Sequence, residues 1–329
     1  MHELIKGKTI LVTGGTGSIG SSIVRELLKY EPEAIRIFSR DEYKQFNLYH
    51  ALGSEKLRFL VGDIRDKKRL LRAAEDVDII FHTAALKHVP LCEYNPSEAI
   101  LTNVIGTQNV VDVALEHNIE SLLFISTDKV VSPTNVMGST KFLAERLIST
   151  GNLLKGKKRR TKFAVVRFGN VLYSRGSVLS LWKQQIKENN FITITDPDMT
   201  RFFMSIPQAV NLCFKALKHS KQNEIFVLKM PALKMSDLAE VFVRKYGKEG
   251  ARIKIIGRRA GEKKHEELLN SIEAEKAYET DDMFIVMPTH PEFIKQLEVV
   301  SFPFEFTDKR SYRSDEVELM TREQINEII

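Results

Sequence analysis

The chain has 329 residues, 43% of them hydrophobic and 28% charged, with a formal net charge of +6. This length allows one large α/β core and a smaller lobe. No segment approaches the roughly 18 uninterrupted apolar residues of a membrane helix, and the N-terminus carries no apolar signal core, so we expect a cytoplasmic protein without a membrane span.

The charge and the cysteines exclude several classes of protein. The basic residues are dispersed among 43 acidic ones and form no face interleaved with aromatic residues, so we do not expect nucleic-acid binding. An anionic small substrate accounts for the positive charge equally well. Cys92 and Cys213 have no partner at metal-ligand spacing, so neither a disulfide framework nor a structural zinc site is expected.

The first half of the chain alternates apolar runs with segments of helical period. The runs are TILVT, AIRIFS, LRFLV, DIIFH, SLLFIS and FAVVRF, and one of the intervening helices begins near Asn135. Such alternation indicates an α/β fold with a doubly wound parallel sheet, the Rossmann architecture. After Asn170 the elements shorten, with candidate strands ITIT, IFVLK and RIKII. We predict a Rossmann domain at 1–170, with 207–230 packing back on it, and a smaller α/β substrate-binding lobe at 171–206 and 231–329.

The turn after the first strand predicts a nicotinamide dinucleotide site. In TILVTGGTGSIGSSIVRELL, three glycines at three-residue spacing follow an apolar strand and open a helix. They permit a tight turn, close approach of the backbone to a pyrophosphate, and close packing of helix on strand. The helix N-terminus adds N–H donors and positive potential. The predicted contacts are Gly14, Thr16, Gly17, Ser18, Ile19 and Gly20.

The end of the second strand favours NADP over NAD. Ser39 and Arg40 stand where an NAD-preferring turn presents an acid to the ribose 2′-hydroxyl, and Arg40, with Lys44, suits a 2′-phosphate. Asp41 follows directly, so an acidic ribose partner, and with it NAD, stays an alternative. Further cofactor contacts are predicted after the third and fourth strands, at Asp63, Ile64, Ala84 and Ala85.

Several later segments carry a family resemblance. They are HTAALKHVPLCEYNP, FISTDKVVSPTNVMGSTK, VRFGNVLYSRGSV, ITDPDMTRFF and GEKKHEEL. With the dinucleotide turn, they resemble the extended short-chain dehydrogenase/reductases, and within them the UDP-N-acetylglucosamine 4,6-dehydratases of polysaccharide biosynthesis, over residues 8–290. The resemblance implies a lyase of surface-glycan synthesis with tightly bound NADP and UDP-N-acetylglucosamine as substrate.

One position departs from the superfamily pattern, in which a Tyr and a Lys are separated by three residues. Met137 stands in place of the Tyr, and Lys141 is retained. A thioether cannot accept a hydroxyl proton at neutral pH, so either the chain is inactive or another group removes the proton. Asp128 and Lys129, at the end of SLLFIS, supply the alternative. As neighbours in extended backbone they are expected to point in opposite directions and to act separately on the substrate.

The resemblance implies three steps: hydride transfer from C4 to NADP, loss of water across C5 and C6, and return of the hydride to C6. We assign Lys129 as the C5 base, with a pKa lowered toward neutrality by burial beside the cationic nicotinamide. Asp128 is the acid for the C6 hydroxyl and needs apolar surroundings. Thr127, a water or Asp128 deprotonates the C4 hydroxyl, and Lys141 holds the nicotinamide ribose. Return of the proton from Lys129 predicts retention at C5, with inversion as the alternative.

The substrate contacts are also inferred from the resemblance. Lys87 is expected near the sugar, and Arg201 and Arg258 near the diphosphate, because arginine's fork matches phosphate oxygens. The remaining predicted substrate contacts are Asn170, Ser177, Thr195 and Glu262. His82 and His88 are interpreted as structural. We also expect a homo-oligomer. The alternatives in function are a UDP-hexose 4-epimerase, which needs no C5 base, and a non-catalytic NADP-binding scaffold.

Overall fold

Apolar strands and helices alternate through the first half of the computed structural model, which describes residues 1–156, 159–221, 223–288 and 304–329. The strands are β1 (Thr9–Thr13), β2 (Ala34–Ser39), β3 (Leu57–Val61), β4 (Ile79–His82), β5 (Ser121–Ile125), β6 (Lys162–Arg167), β7 (Asn170–Val171), β8 (Phe191–Ile194), β9 (Thr200–Met204), β10 (Ile225–Leu228), β11 (Ala232–Lys234), β12 (Arg252–Ile255), β13 (Glu267–Leu269), β14 (Ala277–Glu279), β15 (Met283–Val286), β16 (Glu305–Phe306) and β17 (Tyr312–Arg313).

The helices cover both faces of the main sheet and build the smaller lobe. They are α1 (His2–Ile5), α2 (Ser18–Leu27), α3 (Glu42–Leu52), α4 (Lys67–Ala74), α5 (Val89–Tyr94), α6 (Pro96–Ala99), α7 (Gly106–Glu116), α8 (Val136–Leu154), α9 (Val178–Asn189), α10 (Ile206–His219), α11 (Met235–Tyr246), α12 (Ser271–Ala274) and α13 (Arg322–Ile328). A π-helical segment, Ile100–Ile105, leads into α7, and a 3₁₀ turn, Asp128–Val130, follows β5.

The main sheet confirms the predicted α/β Rossmann class. Seven parallel strands run in the order β3-β2-β1-β4-β5-β6-β10, which is the order of a doubly wound fold. The strand order reverses between β1 and β4, and ligands of such folds bind at this reversal, outside the carboxyl ends of the strands. The fold therefore directs attention to the segments that follow β1, β4 and β5.

The sheet does not end at β10, and here the structure corrects the predicted domain boundaries. β15 pairs antiparallel with β10, β14 with β15, and β16 with β14. These strands belong to the segment 231–329, which we had assigned wholly to the substrate lobe. All four residues of β15 are buried, which requires that both faces of this apolar strand be covered, as they are inside a large sheet. Residues 289–303 of the same segment lie outside the described residues.

The smaller lobe has its own core between α9, α11 and α13. Trp182 of α9 and Phe242 of α11 are fully buried, with ring centroids 5.4 Å apart in an edge-to-face arrangement. The indole N–H of Trp182 donates to the carbonyl of Thr193, 2.8 Å away, on β8. β8 pairs with β12, and β9 pairs with β7 and β11. This lobe therefore holds β9 and the segment before β13 beside the carboxyl edge of the main sheet.

Candidate active site

The glycine turn after β1 has the geometry of a dinucleotide cradle. Gly14 has a φ of +67°, and a Cβ built on it would lie 2.7 Å from the backbone nitrogen of Ala84. A Cβ on Gly20 would lie 2.5 Å from the carbonyl oxygen of Gly14. Both positions therefore require glycine, and the turn brings the N-terminus of α2, at Ser18, to the carboxyl edge of the sheet. These residues fit a pyrophosphate approached by backbone N–H groups.

Arg175 lies over this turn and was not predicted. Its backbone N–H donates to Ser18 Oγ at 3.0 Å, and its guanidinium donates to the carbonyl of Thr16. The loop after β7 therefore carries a cation to the predicted pyrophosphate site. The sequence signal is SRGSV, in which Gly176 has a φ of +68° and packs against the ring of His88. That segment supported the family resemblance, but nothing local in it indicates contact with residues 16–18.

Arg40, on which the NADP prediction depends, directly follows β2. Its side chain is half exposed, and one guanidinium nitrogen lies 3.6 Å from Asp63 Oδ2. Asp41 caps α3 and pairs with Lys44 at 2.5 Å, so this acid is already engaged. Burial raises the pKa of Asp63, but hydrogen bonds from Arg65 outweigh it and the net pKa is lowered. The other predicted contacts are partly or fully buried after β1, β2, β3 and β4: Thr16, Ile19, Ser39, Ile64, Ala84 and Ala85.

The turn after β5 joins two of the predicted catalytic groups, contrary to the expectation that they point apart. Lys129 Nζ donates to Asp128 Oδ1 at 2.9 Å, and Thr127 Oγ1 donates to the same oxygen at 2.7 Å. The extended backbone has ended before this point, and the 3₁₀ turn Asp128–Val130 lets neighbouring side chains converge. Asp128 is fully buried, and its Oδ2 has no hydrogen-bond partner among the described residues.

The electrostatics of Lys129 also differ from the prediction. Burial alone would lower its pKa, but the negative charges of Asp128 and Glu266 outweigh burial, and the pKa of Lys129 is raised. Glu266 Oε1 lies 3.5 Å from Lys129 Nζ. The predicted lowering rests on burial and the cofactor charge, whereas this carboxylate comes from the distant segment before β13. Lys129 is thus an ammonium in the structure, with one acceptor close enough to take its proton.

Lys141, on the second turn of α8, has the position of the retained superfamily lysine. Its Nζ donates to the carbonyl of Ile125 at 2.5 Å and lies 3.9 Å from the centroid of the Phe124 ring. Burial lowers the pKa of Lys141 to about 7. α8 can come this close to the turn after β5 because residue 138 is glycine: a Cβ built on Gly138 would lie 2.3 Å from the carbonyl oxygen of Lys129.

Met137, in the position of the superfamily tyrosine, is packed and offers no proton. It is buried with Cys92 and Ala99 in a small apolar cluster. His82 is structural, as interpreted from the sequence: both ring nitrogens bond threonine hydroxyls, Thr13 at 2.7 Å and Thr107 at 3.0 Å. Burial lowers the pKa of His82 to about 3, so its ring is neutral. Neither Met137 nor His82 is therefore placed to exchange a proton with a substrate.

Arg201 does not fit its predicted role as a phosphate partner. The side chain is buried, and its terminal nitrogens donate to the carbonyls of Thr200, Lys263 and Lys264 and to Met199 Sδ. Its Nε lies 3.7 Å from Glu266 Oε1. These acceptors engage the guanidinium fork, so Arg201 ties β9 to the segment 262–266. The TRFF motif gave the residue type but not the direction of its side chain.

Two other predicted substrate contacts meet in the smaller lobe. Thr195 Oγ1 donates to Glu262 Oε1 at 3.2 Å, and the backbone N–H of Arg259 donates to Glu262 Oε2 at 3.1 Å. Arg258 is half exposed, with Nε 3.5 Å from Asp196 Oδ2. Unlike Arg201, Arg258 keeps donors that a diphosphate could engage.

The remaining predicted contacts lie on three separate segments. Asn170 is on β7, opposite Phe203 of β9, and Ser177 is the residue before α9. Lys87 follows β4, where partial desolvation and then the charge of Arg175 lower its pKa.

Comparisons with known proteins agree with this geometry. The model of the family described as polysaccharide biosynthesis protein matches residues 10–288. An uncharacterized membrane protein of Methanocaldococcus jannaschii is 52% identical, covering 100% of this chain and 97% of its own length. A UDP-N-acetylglucosamine 4,6-dehydratase (inverting) of Campylobacter jejuni is 41% identical, covering 87% and 84%. A UDP-glucose 4-epimerase of Rickettsia canadensis is 42% identical, covering 84% and 82%.

A solved structure extends the likeness to three dimensions. The X-ray structure of Pen from Bacillus thuringiensis matches with a TM-score of 0.90 and 42% identity, covering 98% of each chain. Despite the name of the Methanocaldococcus relative, no helix within the described part of the chain is long and apolar enough to cross a membrane. The family match and the identities confirm the resemblance read from the motifs: this chain belongs to the polysaccharide biosynthesis protein family, among the extended short-chain dehydrogenase/reductases.

Proposed function

We propose that this chain is a cytoplasmic UDP-N-acetylglucosamine 4,6-dehydratase of surface-glycan biosynthesis that works with tightly bound NADP. The observation that carries the proposal is the hydrogen bond between Lys129 and Asp128, buried at the carboxyl edge of the sheet. The glycine turn follows β1 at the same edge of the sheet, and Lys141 donates to the carbonyl of Ile125 at the end of β5. The Campylobacter relative, named for this activity, supports the choice of substrate.

The hydrogen-bonded pair supplies a base and an acid together. A shift of one proton from the Lys129 ammonium to Asp128, across 2.9 Å, leaves a neutral amine and a carboxylic acid. The amine takes the proton from C5, and the acid gives its proton to the departing C6 hydroxyl, which leaves as water. The pair is then an ammonium and a carboxylate again. Bound NADP would supply the reversible oxidation at C4 and the reduction at C6 that this elimination requires.

Lys129 also governs the stereochemistry that we propose. After the elimination its ammonium lies on the face from which the C5 proton left, and return of that proton gives retention. Met137 has no proton to deliver from the opposite face. The Campylobacter relative is named as inverting, so the opposite outcome has a precedent in the family. Proton NMR of the fresh product tests this: coupling constants of an L-arabino arrangement at C5 would contradict retention.

Mass spectrometry of UDP-N-acetylglucosamine incubated with the protein tests the function itself. Loss of one water supports the dehydratase. An unchanged mass with a new C4 isomer would instead identify an epimerase, the activity named for the Rickettsia relative. The buried pair disfavours that result, because epimerisation at C4 needs no base at C5. If the substrate is unchanged, the remaining alternative is a non-catalytic NADP-binding scaffold. The buried Met137 in place of the tyrosine favours that alternative.

NADP preference is predicted to rest on Arg40. A guanidinium facing a 2′-phosphate makes charge-assisted bonds that a ribose hydroxyl cannot match. Titration of both cofactors should show tighter NADP binding by the wild type and a loss of about tenfold in NADP affinity in Arg40→Ala, with NAD affinity little changed. Arg58→Ala, at an exposed position of β3, is the matched control. Tighter binding of NAD than NADP by the wild type contradicts the assignment.

We also propose a homo-oligomer formed through the helices beside the sheet. Exposed apolar side chains concentrate on α5, the π-helical segment and α8: Leu91, Tyr94, Ile100, Leu101, Ile105 and Leu143. A surface of this kind is typical of a protein interface. Light scattering at assay concentration should give a mass above that of one 37.6 kDa chain, and a monomer would contradict the proposal.

A further inference from the structure

A second carboxylate faces the catalytic lysine from another part of the chain. Glu266 is 3% exposed, and its Oε1 lies 3.5 Å from Lys129 Nζ and 3.7 Å from Arg201 Nε. Its Oε2 is buried and has no hydrogen-bond partner among the described residues. A buried carboxylate is costly unless cations face it, and here the two cations are Lys129 and Arg201. Glu266 is therefore placed where its charge acts on Lys129.

The chain fixes Glu266 firmly in this position. Its backbone N–H donates to Ser314 Oγ at 2.9 Å, and the backbone N–H of Ser314 donates to the Glu266 carbonyl at 2.9 Å. Ser314 Oγ also donates to the carbonyl of Thr200 at 3.2 Å. Arg201 donates to the carbonyls of Lys263 and Lys264, which lie just before Glu266 in the sequence. The C-terminal segment and β9 thus hold Glu266 against the turn after β5.

We propose that Glu266 is a positioning residue that fixes the direction of the Lys129 ammonium and sets the pH at which Lys129 becomes a base. The proposal deepens the dehydratase function and rests on it. Lys129 has three N–H bonds: one goes to Asp128 at 2.9 Å, and a second faces Glu266. The third N–H bond is left to point toward the accessible side of Lys129, whose side chain is 21% exposed. Glu266 thus directs the amine toward the side from which a substrate approaches.

The charges around Lys129 define the expected pH effect. The carboxylates facing it are Asp128 and Glu266, and the cations nearby are Arg201 and Lys263. Asp128 and Glu266 raise the pKa of Lys129, so a neutral side chain at 266 should lower it. Exchange at C5, unlike the elimination, needs only the neutral amine and no acid, and the fraction of neutral amine rises with pH through this pKa. Loss of the Glu266 charge should therefore move the acidic limb of C5 hydrogen exchange to lower pH.

The test compares Glu266→Gln with Glu267→Gln. Glu267 is the adjacent residue and contacts Ser132 at 3.3 Å, so it controls for loss of one carboxylate on the same segment. The first readout is the pH dependence of Lys129 acetylation by acetic anhydride, followed by peptide mass spectrometry on cofactor-free protein. The second is the pH profile of C5 hydrogen exchange in heavy water with UDP-N-acetylglucosamine and NADP.

We expect Glu266→Gln to shift the acetylation midpoint and the acidic limb of exchange down by about 1 pH unit, and Glu267→Gln to shift neither. Glu266→Asp, which keeps the charge, should restore most of the wild-type midpoint. Equal midpoints in wild type and Glu266→Gln would overturn the proposal. The two proposals can fail separately. If the wild type never dehydrates the sugar, the proposed function is refuted, but a shifted acetylation midpoint in Glu266→Gln would still support the coupling of Glu266 to Lys129.

Discussion

Lys129→Ala is expected to lose dehydration of UDP-N-acetylglucosamine and exchange of the C5 hydrogen, each by about 10² to 10⁴-fold, the usual contribution of a positioned acid-base group. The variant lacks the only amine bonded to Asp128 in the described part of the chain. Without it no neutral base faces C5, so the C5 hydrogen cannot be removed even if Asp128 is protonated. Exchange in heavy water, followed by NMR, measures the C5 step separately from release of product.

Folding and cofactor binding should survive this change. The alanine leaves two buried carboxylates, Asp128 and Glu266, without their shared cation, and such groups respond by taking up a proton. Circular dichroism and NADP titration should match the wild type. Lys264→Ala is the matched control, because Lys264 is an exposed lysine on the neighbouring segment, 3.9 Å from Asp198. Exchange at near wild-type rate in Lys129→Ala would place the C5 base elsewhere.

The parts of the site that the sequence predicts are those made by short segments. Gly14, Gly17 and Gly20 stand in one turn, and their spacing alone predicts that the chain passes too close to its neighbours for a side chain. The structure shows this, because a Cβ at each position would lie 3.0 Å or less from another atom. The apolar runs of β1, β4 and β5 likewise predict a parallel sheet because each is buried on both faces. Local patterns of this kind need no knowledge of distant residues.

What the sequence did not predict depends on contacts between distant segments. Glu266 contacts Lys129, and Arg175 contacts Thr16, although each pair is separated by more than a hundred residues in the sequence. No motif with fixed spacing predicts contacts between residues so far apart. The predicted lowering of the Lys129 pKa rests on burial and a bound nicotinamide; it leaves out the carboxylates of Asp128 and Glu266, which together raise that pKa in this structure. Arg201 has the residue type of a phosphate ligand, but backbone carbonyls brought from the next loop engage its donors.

A buried ion-pair triad predicts the largest effect on stability. Arg167, at the end of β6, is fully buried and pairs with Glu145 of α8 at 2.7 Å and with Glu273 of α12 at 2.8 Å. Arg167→Met removes the cation and leaves two buried carboxylates. Breaking such a pair costs about 3 to 5 kcal/mol, so we expect the free energy of unfolding in urea at pH 7 to fall by about that amount. Lys67→Met, which removes a surface pair with Asp112, should cost about 0 to 1 kcal/mol.

The pH dependence of this loss identifies its cause. Burial raises the pKa of Glu273, but Arg167 outweighs burial and the pKa in the folded protein is lowered. The wild type therefore gains stability from this carboxylate above its unfolded pKa and loses that gain as the pH falls through the folded pKa. In Arg167→Met the burial effect is opposed only by the weaker influences of the Asn270 backbone N–H and the Arg146 charge, so Glu273 takes up a proton more readily on acidification than in the wild type. The difference in unfolding free energy between wild type and variant should thus shrink from pH 7 toward pH 4. A difference that stays constant over this range would mean that lost packing of the arginine stem, rather than unpaired charge, causes the destabilisation.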